Sequence, residues 1–344
     1  MNRSPTAILQ ISRRAALALT VALLGACAQM APAPDPLPSW NEGPAKDAIV
    51  QFVRKTTDSA SPQFVPPAQR VATFDQDGTL WVEQPMYAQV AFALDRVKDV
   101  VKAQPALANE EPFKAVVTGD RAAMARFTEG DLLKIVGASQ AGLSIEAFRE
   151  VVKAWAATAK HPKFQRPYTE LVYAPMVEAM KYLRANGYRT YIVTGGGQEF
   201  VRAFADAVYG VPPEQVIGSM LKVDYAVRNG VPTLTNAPAV FFVNDKAGKP
   251  VGINMVIGQR PQAAFGNSDG DQQMLEWTTG GAGARLGMLV LHDDAQREYA
   301  YGPAAGLPAS HVGTFAQSLY DEAKAKGWTV ISIKNDWKRV FAFD

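Results

Sequence analysis

The sequence predicts an α/β fold, in which short buried strands of a largely parallel sheet alternate with amphipathic helices. The apolar run Val71–Phe74 has the length of a buried strand, and Asp75 and Asp77 follow it directly. From residue 175 onward, helical and apolar strand patterns alternate, as is typical of α/β proteins. Open α/β sheets bind ligands at the carboxyl ends of their strands, so the two acids lie at the predicted ligand-binding edge.

The composition is that of an ordinary globular protein, with 48% hydrophobic and 20% charged residues in 344. The net charge is +2, and the only charged residues before Asp35 are Arg3, Arg13 and Arg14. Removing these three positive charges leaves −1 on the rest of the chain. This near-neutral balance gives no electrostatic reason for nucleic-acid binding.

Residues 1–27 have the pattern of a secretory signal peptide. Arg13-Arg14 precede an apolar segment, residues 15–24, that is too short to span a bilayer. Leu24-Gly25-Ala26-Cys27 resembles the bacterial lipobox, in which the cysteine is lipidated. Cys27 is the only cysteine, which excludes an internal disulfide. We therefore expect an exported protein, lipid-anchored to a bacterial membrane and facing the periplasm or the exterior; a plain cleaved signal is the alternative.

The proline-rich residues 28–40 predict an extended tether between the membrane and the folded protein. Helical patterns then fill residues 82–164, between the strand at 71–74 and the next predicted strand, Tyr188–Val193. The predicted core therefore consists of two segments, 41–81 and 165–344.

After the insertion, helices and strands alternate again. Pro175 suits the first turn of a helix that ends at Gly187. Residues 216–250 are rich in β-forming residues, with turn signals at Asn229-Gly230 and Ala247-Gly248. The other predicted elements are helices at 44–57, 198–209, 271–277 and 315–326, and strands at 263–265, 286–292 and 330–333.

A second group of candidate residues follows the strand Tyr188–Val193. Thr194 is succeeded by Gly195, Gly196 and Gly197, which open a helix. A hydroxyl group and unhindered backbone amides at a helix N-terminus form a natural anion site. A glycine-rich turn alone is as often structural, but its place after the insertion favours a function.

Three segments resemble, in order, motifs of the haloacid dehalogenase (HAD) superfamily, most of whose members are Mg²⁺-dependent phosphatases. Residues 75–80 resemble the first motif, Thr194 and the glycines after it the second, and residues 266–271 the fourth, Gly-Asp-x-x-x-Asp. The resemblance implies a Rossmann-like three-layer core with a parallel sheet, and a helical C1 cap formed by residues 82–164. Residues 208–218 also resemble the corresponding segment of phosphoserine-phosphatase-like members.

The resemblance implies phosphomonoester hydrolysis through an aspartyl-phosphate. Asp75 would be the nucleophile and Asp77 the general acid and base. Dehalogenating members lack an acid at the position of Asp77, so this residue favours phosphoryl chemistry. Thr194, Gly195 and Gly196 would bind the phosphate group of a small phosphorylated substrate.

The resemblance also implies a lysine that offsets the charge of the phosphate and of Asp75. The candidates are Lys222, Lys246 and Lys249. Lys249 is preferred over Lys246 because it precedes Pro250 and a short helical stretch, one element before the fourth motif.

Mg²⁺ is the implied cofactor, and it prefers oxygen ligands. Asp75, the main-chain carbonyl of Asp77, and Asp271 would hold it. Asn267 departs from the family pattern, since an aspartate is usual there. Its neutral amide would lie in the first or second coordination shell and weaken the affinity for Mg²⁺. Asp269 is the alternative source of the missing charge.

The leading hypothesis is thus an exported Mg²⁺-dependent phosphatase that meets the membrane only through its lipid anchor. A phosphotransferase, in which an alcohol replaces water, is one alternative. A non-catalytic lipoprotein that retains the HAD fold is the other, and Asn267 is its support. His161, His292 and His311 lack metal-ligand spacing, and His292-Asp293-Asp294 is more typical of a strand end than of a metal pair. Four aromatic residues of the insertion are candidates for either its core or a substrate pocket: Tyr87, Phe92, Phe127 and Trp155.

Overall fold

The computed structural model describes residue 1 and residues 35–344. The predicted signal peptide, Cys27 and most of the predicted tether lie outside these residues. Within the described part of the chain, no helix has both the length and the apolar character needed to cross a membrane.

A seven-stranded sheet, in the order β4-β3-β2-β1-β5-β6-β7, forms the centre of the fold. Adjacent strands are parallel except for β3 and β4, which form an antiparallel hairpin. This arrangement confirms the predicted α/β class. The strands are β1 Val71–Phe74, β2 Arg189–Gly197, β3 Val216–Arg228, β4 Val231–Phe242, β5 Ala263–Gly266, β6 Leu286–Leu291 and β7 Thr329–Ser332.

Helices cover both faces of the sheet. They are α1 Pro44–Thr57, α2 Ala88–Ala103, α3 Phe113–Thr118, α4 Arg121–Met124, α5 Glu129–Gln140, α6 Ile145–Thr158, α7 Ala174–Ala185, α8 Gln198–Arg202, α9 Ala205–Tyr209, α10 Gly248–Ile257, α11 Gln272–Thr279, α12 Gln317–Lys326 and α13 Ile333–Asp336. In β6, Met288 and Val290 pack with α1 and α7, whereas Leu289 and Leu291 pack with α11 and α12. This alternation is the period of two of a strand buried on both faces, and it produces three layers.

Helices α2 to α6 fall within the predicted insertion and lie between β1 and β2 in the chain. Local capping sets their starts: Thr128 and Asp131 form a reciprocal capping box at α5, and the Ser144 hydroxyl accepts a hydrogen bond from the Ala147 amide at α6. One set of side chains, including Val97 and Ile135, forms a small core within the insertion, while Phe92 packs into the main core. The insertion is therefore partly continuous with the sheet domain.

The hairpin of β3 and β4 is joined by Asn229-Gly230, as predicted, and both residues have positive φ angles, 51° and 80°. Its outer part exposes apolar side chains such as Tyr225 and Phe241, each 68% exposed. The Gly142 amide donates to the Asn236 carbonyl at 2.8 Å, and the Asn236 amide donates to the Leu143 carbonyl at 3.0 Å. The hairpin thus joins the insertion through main-chain hydrogen bonds.

Two predicted elements differ in the structure. The single helix expected at 198–209 is divided into α8 and α9, because the backbone of Phe204 leaves helical geometry (φ −129°, ψ −11°). The turn expected at Ala247-Gly248 is instead the start of α10. A Cβ at Gly248 would lie 2.2 Å from the Val243 carbonyl oxygen, so only glycine allows the helix to begin this close to the preceding strand.

The predicted tether ends earlier than residue 40, because Leu37, Ser39 and Trp40 are buried and the folded unit begins at Leu37. The Trp40 indole donates to the Pro175 carbonyl at 2.9 Å and packs edge-on against Trp337, with ring centroids 6.2 Å apart. The proline-rich composition of this segment gives no indication that Trp40 is buried.

We predict that Trp40→Ala lowers the free energy of unfolding by about 3–5 kcal/mol, since it removes a large buried aromatic side chain and leaves a cavity. Urea unfolding followed by circular dichroism measures the change. Phe64→Ala is the control, because Phe64 is 37% exposed and its loss should cost less than about 1 kcal/mol. Equal, small losses in both variants would show that residues 37–40 do not belong to the core.

Candidate active site

The carboxyl ends of three adjacent strands form the centre of the candidate site. β1 lies between β2 and β5, so Asp75, Thr194 and Asn267 come together at one edge of the sheet. Phe74 and Phe265 are paired in register, and their rings stack with centroids 4.3 Å apart and planes 1° from parallel. The Asp75 amide donates to the Phe265 carbonyl at 2.9 Å, which fixes the start of the loop after β1.

Lys249 occupies the middle of this site. Its Nζ lies 2.5 Å from Asp75 Oδ1 and 2.6 Å from Asp271 Oδ1, and it donates to the Val193 carbonyl at 2.9 Å. The side chain is 2% exposed. Of the three candidate lysines, Lys249 is therefore the one that the structure brings to Asp75, whereas Lys222 and Lys246 are exposed.

Burial opposes the charge on Lys249, but the carboxylates of Asp271 and Asp75 outweigh it and raise the lysine pKa. Lys249 is therefore an ammonium ion at neutral pH. Burial and the nearby Asp271 raise the pKa of Asp75, and Lys249 acts in the opposite direction. When Asp75 and Asp271 are both ionised, the single cation between them leaves an excess negative charge, and a further cation at this edge would stabilise that state.

Asp77 lies at the rim of the same edge, and its Oδ1 accepts a hydrogen bond from the Trp81 indole at 2.7 Å. Burial raises the pKa of Asp77 to about 6, although the Trp81 hydrogen bond and Lys249 oppose the shift. A carboxyl group that titrates near neutral pH can both donate and accept a proton in one catalytic cycle.

Gly78 turns the chain back after Asp77. Its φ is +74°, and its amide donates to the Trp81 carbonyl at 2.9 Å. A Cβ here would lie 2.1 Å from Asn267 Nδ2 and 2.4 Å from Glu83 Oε1, so any other residue would collide with both. Glycine at this position thus allows the first and fourth predicted motifs to meet.

The predicted anion-binding loop continues β2 as far as Gly197. The Gly196 amide donates to Thr194 Oγ1 at 2.9 Å, and the Gly197 amide donates to Gln89 Oε1 at 2.7 Å. The Gly195 carbonyl accepts from Ser219 Oγ at 2.7 Å. Gln89 lies on α2, so the insertion contacts this loop directly.

Asp271 orders the fourth motif from within. Its Oδ2 accepts hydrogen bonds from the amides of Asn267 and Ser268, at 3.0 and 3.1 Å, while its Oδ1 accepts from Lys249. Asp269 instead accepts from the Ala316 amide at 2.9 Å. Both acids thus already have protein partners.

The Asn267 side chain connects two residues of the loop after β1. Its Oδ1 accepts from Thr79 Oγ1 at 3.0 Å, and its Nδ2 donates to Glu83 Oε1 at 2.7 Å. Glu83 is 2% exposed, and its Oε1 also accepts from the Tyr301 hydroxyl at 2.8 Å. The sequence analysis did not identify Glu83 as a site residue. The one feature that could have indicated it is that this acid directly follows the apolar run Leu80-Trp81-Val82.

His292 supports the same loop, which the sequence did not indicate. Its Nε2 lies 2.8 Å from the Gly78 carbonyl oxygen, and its Nδ1 lies 3.0 Å from Glu298 Oε2. Asp293 accepts from Ser332, and Asp294 pairs with Arg297 at 2.5 Å. These three neighbours therefore have separate partners and form no metal pair.

The other two histidines lie apart from the site. His161 Nε2 lies 2.7 Å from the Gln84 carbonyl oxygen, and His311 is exposed.

The free oxygen atoms at this edge are of the chemical type that binds Mg²⁺. Asp75 Oδ2 and the Asp77 carbonyl oxygen accept no hydrogen bond from any described residue, and hard oxygen donors are what Mg²⁺ prefers. Within residues 35–344, no group of three or more His, Cys, Asp or Glu side chains could hold a metal ion. An ion here would therefore also need main-chain and water ligands.

The predicted aromatic residues of the insertion are mostly core. Phe92 is fully buried and packs against Phe148 and Phe200, and Phe127 packs within the insertion's own cluster. The Tyr87 hydroxyl accepts a hydrogen bond from the Gly313 amide at 3.1 Å.

Trp155 differs from these residues because it lines a cavity of about 290 Å³ between α2 and α6, together with Asp95 and Tyr168. Neither Lys249 nor any of the three motif segments lines this cavity, so it is separate from the site of Asp75, Asp77 and Asp271, called the carboxylate site below.

Comparison with known proteins identifies the family to which the chain belongs. The model of the haloacid dehalogenase-like hydrolase family matches residues 72–276, more than half of the chain. No curated protein is similar enough to count as a match.

Several solved structures are similar to the chain at low identity. A protein with unknown function from Bordetella pertussis Tohama I is 17% identical over 76% of this chain and 98% of its own, with a TM-score of 0.46. A conserved protein from Anaerococcus prevotii is also 17% identical, over 73% and 86%, with a TM-score of 0.48. A phosphoserine phosphohydrolase-like protein from Francisella tularensis is 16% identical, over 66% and 89%, with a TM-score of 0.35.

These structural similarities are weak, so the assignment rests on the family model. That model begins in β1 and ends in α11, and it therefore contains every motif residue from Asp75 to Asp271. The chain belongs to the haloacid dehalogenase-like hydrolase family.

Proposed function

We propose that the protein is a Mg²⁺-dependent phosphatase that hydrolyses small phosphorylated metabolites through an aspartyl-phosphate at Asp75. The observation that carries the proposal is the buried ammonium of Lys249, held between Asp75 and Asp271. A fixed cation beside a nucleophilic carboxylate offsets the repulsion that a phosphate dianion would otherwise meet.

The first chemical step forms the phospho-enzyme. A carboxylate oxygen of Asp75 attacks phosphorus, the bond from phosphorus to the substrate oxygen breaks, and protonated Asp77 gives its proton to that leaving oxygen. In the second step, Asp77 takes a proton from water as the water attacks phosphorus. The acyl-phosphate bond breaks, inorganic phosphate is released, and the Asp75 carboxylate is regenerated.

Phosphate binding is the proposed role of Thr194, of the Gly195 and Gly196 amides, and of Lys249. Asp75, the Asp77 carbonyl and Asp271 would hold Mg²⁺, with Asn267 beside it, and the ion would neutralise charge on the transferring phosphoryl group. Helices of residues 82–164 would act as the cap. The Gln89 contact with Gly197 supports this role because it joins the insertion to the phosphate loop.

Export and lipid anchoring at Cys27 are part of the proposal, and their support is the sequence of the first 27 residues. The near-neutral charge beyond that segment supports a small substrate rather than a nucleic acid. A phosphotransferase would use the same residues with an alcohol in place of water. The intact contacts of Lys249 favour either enzyme over a non-catalytic lipoprotein.

We predict that Asp75→Asn lowers the hydrolysis of p-nitrophenyl phosphate in Mg²⁺ by at least about a thousandfold, since an amide is a poor nucleophile. Release of p-nitrophenol measures the rate. Asp224→Asn, an exposed acid on β3, is the matched control and should retain full activity. Activity of Asp75→Asn within tenfold of the unaltered protein would refute the proposed mechanism.

We predict that Asp77→Asn still forms the phospho-enzyme from this activated substrate but hydrolyses it slowly. A good leaving group needs little acid assistance, whereas attack by water still needs a base. Stopped-flow measurement should show a burst of p-nitrophenol followed by slow turnover. Equal slowing of the burst and of the turnover would contradict the two roles assigned to Asp77.

We also predict that Asp77→Asn changes how stability depends on pH in EDTA. Because the pKa of Asp77 rises from 3.8 to about 6 on folding, ionising this residue destabilises the folded protein. The loss begins as the pH rises through 4 and is complete above 6, and its size is on the order of 2 kcal/mol for a partly exposed group.

The neutral amide that Asp77→Asn introduces avoids that loss and can still accept the Trp81 hydrogen bond. The free energy of unfolding of this variant, relative to the unaltered protein, should therefore be higher at pH 8 than at pH 4, as urea titrations at the two pH values would measure. A difference that does not change with pH would show that Asp77 titrates normally.

A further inference from the structure

The proposed Mg²⁺ site lacks one negative charge compared with the family pattern, because Asn267 occupies the position of an aspartate. The replacement for that charge matters because of the proposed function, on which the role assigned below rests. The protein must supply it from elsewhere, or bind Mg²⁺ weakly, because carboxylate charge is a main determinant of affinity for hard cations.

The two acids of the fourth motif are poorly placed to supply this charge. Both oxygens of Asp271 accept hydrogen bonds, one from Lys249 and the other from two backbone amides. Asp269 accepts from Ala316, on the side of the segment that leads into α12. Lys249 and the amides thus already offset the charge of Asp271.

Glu83 is the remaining acid in contact with Asn267. Its Oε1 lies 2.7 Å from Asn267 Nδ2 and 2.8 Å from the Tyr301 hydroxyl, while Oε2 accepts no hydrogen bond from any described residue. The side chain is 2% exposed. Burial raises the pKa of Glu83 well above its usual value, and an oxygen free of hydrogen bonds from the described residues could face a cation that favours the ionised form.

Two glycines make room for the Glu83 carboxylate. Gly313 has a φ of +64°, and a Cβ there would overlap Glu83 Oε1. A Cβ on Gly78 would lie 2.4 Å from the same atom. Gly78 in the first motif and Gly313 shortly before α12 therefore accommodate this carboxylate beside Asn267.

We propose that Glu83 supplies the negative charge of the Mg²⁺ site that the family pattern takes from an acid at position 267. In this protein the acid would lie in the loop after β1 rather than directly after β5. Asn267 holds the Glu83 carboxylate through its side-chain amide. Glu83 acts on the ion directly or through one of its water ligands.

The test is isothermal titration of the purified protein with MgCl₂. Glu83→Gln keeps an oxygen that can accept from Asn267 and Tyr301 but removes the charge. It should weaken Mg²⁺ binding by about tenfold or more, within the range for ligands and their immediate partners. In EDTA its melting temperature should be equal to or higher than that of the unaltered protein, because a neutral amide costs less to bury than a carboxylate.

A charge swap provides the decisive comparison. In Glu83→Gln combined with Asn267→Asp, the carboxylate stands at the family position and the amide at position 83. Mg²⁺ affinity should return to within about threefold of the unaltered protein. Asn267→Asp alone places two carboxylates in contact, so it should melt earlier in EDTA and regain stability in Mg²⁺.

Asp245→Asn is the control, because the Asp245 carboxylate lies beside Gly195 and Gly270 rather than beside Asn267. It should leave Mg²⁺ affinity within about threefold. Unchanged affinity in Glu83→Gln, or equal losses in the Glu83 and Asp245 variants, would overturn the role of Glu83. Absence of Mg²⁺ binding by the unaltered protein would instead overturn the proposed function, so the two failures are distinguishable.

Discussion

The contact of Lys249 with Asp75 and Asp271 is the interaction on which the site depends. An ammonium group in the protein interior is tolerated only when anionic partners and further acceptors surround it, and Lys249 has two carboxylates and the Val193 carbonyl. These partners come from the loop after β1, the middle of β2 and the residue before α11. Removing one of them would leave an uncompensated buried charge, so the same contact that suits phosphate chemistry also fixes three elements of the fold.

Much of this arrangement could be predicted from sequence, and the reason is geometric. Asp75, Thr194 and Asn267 each come directly after the apolar residues of a strand, and the carboxyl ends of parallel strands meet at one edge of the sheet. The position of Lys249, one element before the fourth motif, predicts its role, and the structure brings it to Asp75. The class of fold and the alternation of helices and strands after residue 175 follow from periodicity alone.

Other parts could not be predicted, because they depend on contacts between residues far apart in the chain. Tyr301 and Asn267 contact Glu83 although they lie 218 and 184 residues away in the sequence. No local sequence pattern predicts these contacts. The burial of Trp40 likewise depends on Trp337 and Pro175, which a proline-rich local composition does not reveal. The break between α8 and α9 arises from the backbone at Phe204, in a segment whose apolar spacing suits one continuous helix.

The hairpin of β3 and β4 has a mechanical consequence. Two main-chain hydrogen bonds couple Asn236 to residues 142 and 143, so a displacement of the inserted helices at that point must bend or rotate the hairpin. The hairpin would transmit this displacement to its turn, Asn229-Gly230, which is exposed and joins the two strands. A fluorophore or spin label attached at that turn would read out motion of the inserted helices without touching any residue of the carboxylate site.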